Sequence, residues 1–354
     1  MNNNDLIFKD LIYRVFYEPY YLKEILSFNK YGKIIEKEFE NLLNKTISSN
    51  EQLSEYIINY YFQDKKKIDK NLKKTSLNLK TSITKSIYSS YINDINKFII
   101  GNNLEQFADF ILFGSLATDD FVKEFSDIDM VCFIKDSVFE SPYSFNFFQE
   151  KMYQLNGLLL RIDPLQNHGV FIVLPYEKLN YKESLNIPLE VLTKGILLGS
   201  KKKTIELLVN NDSSFQDSKK YLSDYIKLVQ KEMLNANNSY RFYRDFLHRV
   251  YLLPALYLQD KGRYCYKKDS FSLINNYNGF DVISKLCNFY DDKFYKSRIY
   301  RKIIPSFLFK RYPIVMRYLL SKIYGSKEQK ILSNSELKSY FEKLNKLIKK
   351  IENE

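Results

Sequence analysis

The stretch FGSLATDDFVKEFSDIDMVCF, Phe113 to Phe133, decides how this chain is read. A Gly-Ser pair is followed by eleven residues, then by Asp127-Ile128-Asp129 running into the apolar Met130-Val131-Cys132-Phe133. Glycine is scarce, 10 in 354 residues, so one placed just upstream of two acids carries information. FILF before Gly114 has the length and apolar character of a buried strand, and LATDDFVKEF after Ser115 has helical spacing. Gly-Ser then falls at a strand-to-helix turn. Glycine permits close backbone approach there, and helix N-terminal amides with a serine hydroxyl can hold an anion such as a phosphate.

On a strand, Asp127 and Asp129 project from one face, because side chains alternate with a period of two. Two carboxylates so close repel each other unless a divalent cation sits between them, and Mg²⁺ is the natural occupant. The competing reading is an acidic turn, with Asp127 as a cap and Asp129 in a surface ion pair. Gly114 and Ser115 upstream tip the balance, since Gly-Ser alone also occurs at Gly199-Ser200 and Gly325-Ser326, where only helix ends or turns are expected.

Outward from this segment the texture changes twice. Between Asp5 and Gly101 the chain holds one glycine and one proline, and apolar residues recur at three- and four-residue intervals, as in LSEYIINYYF. Residues 1–100 are therefore expected to be a helical N-terminal region. Residues 101–200 alternate short β-rich runs (FILF, DMVCFI, GVFIVL) with helical stretches and turns. Residues 201–354 return to the helical period, in SKKYLSDYIKLVQKEML and LKSYFEKLNKLIKKIE among others. The expected fold class is α/β (α+β): a mixed sheet core between N-terminal and C-terminal helical regions.

Composition bounds the function. Apolar residues at 45% and charged residues at 27% describe a globular chain. No apolar run reaches the roughly 18 residues a membrane span needs, and the start lacks a leader pattern, so a cytoplasmic protein without membrane attachment is expected. Three separated cysteines, Cys132, Cys265 and Cys287, exclude a C-x-x-C zinc site and read as core thiols. A net charge of +12 attracts polyanions, although lysine runs are more often solvated faces. Of 30 Tyr and 27 Phe, most sit at helical core spacing, which assigns them to packing rather than base stacking.

Taken together, an apolar residue, Gly-Ser, a spacer and D-h-D before an apolar strand resemble the signature of the DNA polymerase β-type nucleotidyltransferase superfamily. The middle third of the chain carries it, and it is closer to the minimal and antibiotic-type members than to polymerases. The resemblance implies a twisted mixed sheet that binds a nucleoside triphosphate such as ATP and two metal ions, Mg²⁺ or Mn²⁺. It implies Gly114 and Ser115 on the triphosphate and Asp127 and Asp129 on the metals.

Such sites take a third acid from a later strand. Asp163, ending an apolar run before Pro164, is one candidate. Glu190 in PLEVL is the other, but Pro188 can also open a helix with Glu190 in its first turn. The Gly-h-h-Leu segment after Lys194 resembles the one found just past the last catalytic strand in small members, so Asp163 is preferred. His168, in the neighbouring turn, can touch a phosphate or be an ordinary surface residue.

Downstream, RFYRDFLHRVYLLPALYLQ resembles the helical bundle that succeeds this core in the family. Lys267 and Lys268, after the turn at Gly262, are placed to aim a cation at the triphosphate, or else form an exposed basic turn. Arg241 and His248 match the loose R-x(4-6)-H pattern of HEPN-type ribonucleases, but His248 is expected to pack. The expected function is transfer of a nucleoside monophosphate to a hydroxyl of RNA, tRNA, a protein or a small molecule. The alternatives are a non-catalytic nucleic-acid-binding protein and a ribonuclease.

Overall fold

Along the chain, the elements are α1 (Asn50–Asp64), β1 (Lys73–Asn78), α2 (Ser89–Gly101), β2 (Ala108–Phe113), β3 (Asp129–Ile134), α3 (Pro142–Ile162), β4 (Phe171–Val173), α4 (Pro175–Lys178), α5 (Leu189–Thr193), β5 (Ile196–Leu198), β6 (Thr204–Val209), α6 (Ser218–Leu234), α7 (Tyr240–Asp260), α8 (Lys267–Leu273) and α9 (Asn334–Asn353). They come from a computed structural model that describes residues 50–64, 72–80, 89–118, 121, 126–163, 169–178, 181, 187–200, 203–209, 218–236, 240–263, 265–273 and 332–353, with positions 12, 15, 16, 305, 307, 308, 316 and 319. The mixed sheet between helical regions is the architecture expected from the sequence.

The sheet is built on β2. It pairs antiparallel with β3, from Ala108↔Ile134 to Phe113↔Asp129, and antiparallel with β5, from Phe110↔Leu198 to Leu112↔Ile196. β4 joins β3 in parallel, with Val131 against Phe171, giving the order β4-β3-β2-β5. The strands are apolar on both faces because both faces are covered. Phe110, Leu112, Met130 and Cys132 pack toward α1, α2 and α3, in a cluster that includes Ile57, Ile95 and Phe148. Ile111, Phe113, Val131 and Phe133 point the other way, into a cluster with Leu77, Leu192 and Leu207.

That second cluster depends on two strands in segments expected to be helical. β1 and β6 pair antiparallel, Lys73↔Val209 to Asn78↔Thr204. In β6, Ile205, Leu207 and Val209 are buried between exposed Thr204 and Glu206, the alternation of a half-buried strand. In β1, only Leu77 is buried within the strand and Leu79 just after it. So short an alternation, beside a lysine run and between helical stretches, is overridden by its neighbours in a sequence reading. Downstream of Ser115, the expected helix begins as a single 3-10 turn over Gly114–Leu116. Phe121 is not helical, and residues 119–120 and 122–125 lie outside the described set.

Local signals set the ends of the two helices that carry site residues. α3 starts with Ser141 accepting from the Ser144 amide and Pro142 in the first turn. It stops at Asp163, which is extended (φ −119°, ψ 103°), as a residue before proline tends to be. α7 closes on Gly262 at φ 77°, with Gly262 N donating to Gln259 O and Arg263 N to Leu258 O, the two bonds of a Schellman cap. α6, α7 and α9 share a third apolar cluster, to which α3 contributes Leu160. Cys132 and Cys265 are buried free thiols, as expected, and Cys287 lies outside the described residues. Among the described residues no helix is long and apolar enough to cross a membrane.

Phe148, fully buried on α3, has its ring 5.3 Å from that of Phe16 and 6.0 Å from that of Phe107. Phe148→Ala is expected to cost about 3–5 kcal/mol in urea unfolding. A loss below about 1 kcal/mol would mean that this cluster is not the core of the α/β unit.

Candidate active site

The β2–β3 register sets Phe113 directly opposite Asp129, so the residue after Phe113 must turn beside the Asp129 carboxylate. That residue is Gly114, at φ +71°. A Cβ built on it would stand 2.2 Å from Asp129 Oδ2. Glycine is therefore required twice, for a left-handed backbone and for the absence of a side chain. The turn is held by Ala117 N and Thr118 N, which both donate to Gly114 O, at 3.1 and 3.2 Å. Ser115 is half-buried in the same turn.

Asp127 lies just ahead of β3 and Asp129 is its first residue; both are half-buried, and Ile128 between them is fully buried. The alternation turns both acids away from the helix-side core that holds Ile128. Two groups from the C-terminal helices meet them. His248 on α7 brings Nδ1 to 3.8 Å from Asp127 Oδ1, the outer limit of an ion pair and one that needs a protonated imidazole. Lys267 opens α8; burial pulls its ammonium below the usual lysine range, while the charges of Asp127 and then Asp129 push it back up. Lys267 is thus within electrostatic reach of both acids.

His248 was expected to be a packing residue and instead faces Asp127. The readable signal was its spacing: Arg244 and His248 are four residues apart and so share a helix face. Arg244 Nη2 donates to Asp163 Oδ2 at 2.7 Å, with only 1% and 10% of the two side chains exposed. The two third-acid candidates sit at different places in the fold. Asp163 caps the end of α3 and is engaged by Arg244. Glu190 is exposed in the first turn of α5, the helical alternative to an apolar-acid-apolar strand. β4 (FIV) and β5 (ILL) carry no acid, and Glu206 of β6 pairs with Lys74 at the surface, at 2.8 Å. Among the described residues no three His, Cys, Asp or Glu side chains gather as a metal-holding group. His168 lies outside the described residues, and of Arg241 only the backbone is described, in α7.

The donor chemistry fits a hard divalent cation. Two carboxylates one residue apart offer oxygen ligands, and the bare Cα of Gly114 lets the Asp129 carboxylate pack directly against the Gly-Ser turn. Asp127 and Asp129 are the residues that would hold Mg²⁺, with phosphate oxygens or water completing its shell.

Residues 92–205 match the family model of the nucleotidyltransferase domain, from α2 through the sheet to the start of β6. No curated protein and no solved structure matches the chain. This part of the chain is a nucleotidyltransferase domain of the DNA polymerase β-type superfamily, a domain type that supports transfer of nucleoside monophosphates.

Gly114→Ala is expected to lower stability by at least about 1–2 kcal/mol from its dihedral alone. It also displaces Asp129, so divalent-metal binding weakens; calorimetry with Mn²⁺ reads this, and an unchanged affinity would contradict the packing of Gly114 on Asp129. Asp163→Asn removes the carboxylate charge that the buried Arg244 guanidinium meets at 2.7 Å and is expected to cost about 3–5 kcal/mol. The double variant Asp163→Leu, Arg244→Met recovers most of that loss in denaturant titration.

Proposed function

We propose that this protein is a Mg²⁺-dependent nucleotidyltransferase that moves a nucleoside monophosphate from an NTP to an acceptor hydroxyl, with release of pyrophosphate. The observation that carries the reading is the Phe113–Asp129 pairing, which packs the Gly-Ser corner against one member of the aspartate pair. A phosphate chain seated on that corner lies within reach of both carboxylates and of Lys267.

In this reading Asp127 and Asp129 hold the cation, which when bound supplies Lewis-acid stabilisation of the phosphoryl oxygens and of the leaving group. The backbone of Gly114 and Ser115, with the serine hydroxyl, binds triphosphate oxygens, and Lys267 contributes positive charge where negative charge accumulates. The acceptor oxygen bonds to the α-phosphorus, the bond from that phosphorus to the bridging oxygen breaks, and the hydroxyl proton leaves to solvent. Asp163, expected from sequence to be the third catalytic acid, is better read as a positioning residue. Its pair with Arg244 fixes the face of α7 that presents His248 to Asp127.

The acceptor class is argued from charge. A surplus of 12 positive charges favours a polyanionic acceptor, an RNA or tRNA end, over a polycationic antibiotic, and a protein hydroxyl is the remaining class. The protein is incubated with each α-labelled NTP, Mg²⁺ or Mn²⁺, and a cell extract fractionated into RNA, protein and metabolites. Label is expected in one fraction, and the Asp127→Asn, Asp129→Asn double variant is expected to lose about 10³-fold or more in rate while keeping its melting temperature. Label in no fraction sinks the proposal. Salt-dependent RNA binding that survives the double variant, with no transfer, would establish the non-catalytic nucleic-acid-binding protein instead.

A further inference from the structure

The Gly-Ser corner and Lys267 come from distant parts of the sequence, yet a hydrogen-bond chain links them. Tyr266, the residue before Lys267, is buried, and its hydroxyl lies 2.9 Å from Thr118 Oγ1. Thr118 Oγ1 lies 3.2 Å from Gly114 O. A carbonyl oxygen only accepts, so Thr118 gives its single hydroxyl proton to Gly114 O and accepts from Tyr266. The chain runs from the Tyr266 phenol through Thr118 to the backbone of the left-handed glycine.

The same segment is tied down on a second side. Lys194, the C-cap just after α5, places Nζ 4.9 Å from the Tyr266 ring centroid and 2.9 Å from Asp269 Oδ2. Residues 266 and 269 are thus anchored to two different parts of the α/β core, and Lys267 sits between the anchors. A lysine on an unanchored segment would lose backbone freedom on meeting its ligand, whereas here the residues on either side of it are already held.

We propose that Tyr266 is a positioning residue that holds the two halves of the triphosphate site, the Gly114–Ser115 corner and Lys267, in register with each other. This rests on the nucleotidyltransferase reading of the site. Tyr266 acts through its neighbours and does not itself touch the nucleotide.

The test is a double-mutant cycle in the full-length chain, with NTP affinity read by equilibrium dialysis against each of the four NTPs with Mg²⁺. Tyr266→Phe, which keeps the ring, is expected to weaken binding of the preferred NTP about 2- to 10-fold, the worth of one net hydrogen bond. Loss of the same bond lowers the melting temperature by no more than a few degrees, and the effect on catalysis falls on KM for the NTP rather than on kcat. Thr118→Val is expected to match it, and the Tyr266→Phe, Thr118→Val pair to be no worse than either alone. In a Lys267→Ala background, Tyr266→Phe is expected to lose most of its effect. Unchanged affinity in Tyr266→Phe, a lowered melting temperature with unchanged affinity, or full additivity with Lys267→Ala would each overturn the proposal while leaving the function standing. Failure of the unaltered chain to bind any of the four NTPs would overturn both.

Discussion

One backbone pairing organises this molecule: the antiparallel register that puts Phe113 across from Asp129. A shift by one residue would turn Ile111 and Phe113 toward the helices and Leu112 toward β1 and β6, exchanging the contents of two cores. Because both faces of the sheet are filled, the register is fixed by the burial of some dozen apolar side chains rather than by anything polar at the site. The acids are held in place by a sheet that has no direct contact with their chemistry. Gly114 adds the last constraint, since any side chain there would collide with the carboxylate it lies against.

The C-terminal helices complete what the sheet begins. A buried arginine on α7 is costly to desolvate, and its bond to Asp163 offsets that cost only in one rotation of the helix. That rotation is the one in which His248 meets Asp127. About four turns further along α7, the Schellman cap at Gly262 ends the helix, and the next helix opens with Lys267, within electrostatic reach of the same pair of acids. The nitrogen-bearing side of the site is thus assembled from a helix start and one helix face, and its carboxylates from the head of a strand.

How much could be read in the chain depends on the range of the interactions concerned. FILF and DMVCFI are local and read correctly as strands from their own residues, as does the turn at Gly114. β1 and β6 are stabilised mainly by one another across a long separation, and their alternation covers only a few residues beside lysine runs, so helical neighbours outweighed them. The fates of Asp163 and Glu190 were equally hidden: the first depends on an arginine 81 residues away, the second on whether Pro188 opens a helix or ends a loop. Burial of Arg244 is the kind of feature no periodicity announces, because an arginine on a helix is ordinarily read as solvent-facing.

The pairing of β1 with β6 has a consequence for the boundaries of the unit. The stretch that matches the nucleotidyltransferase domain begins at residue 92 and stops inside β6, yet Leu77 of β1 and Leu79 just after it fill one core, and Ile57 and Tyr61 from α1 fill the other. A protein cut to the matching stretch would present an open strand edge and two apolar faces stripped of their cover, the makings of a sticky, self-associating fragment. The family match lies in the middle of the chain, whereas the side chains that cover its sheet come from well to either side of it.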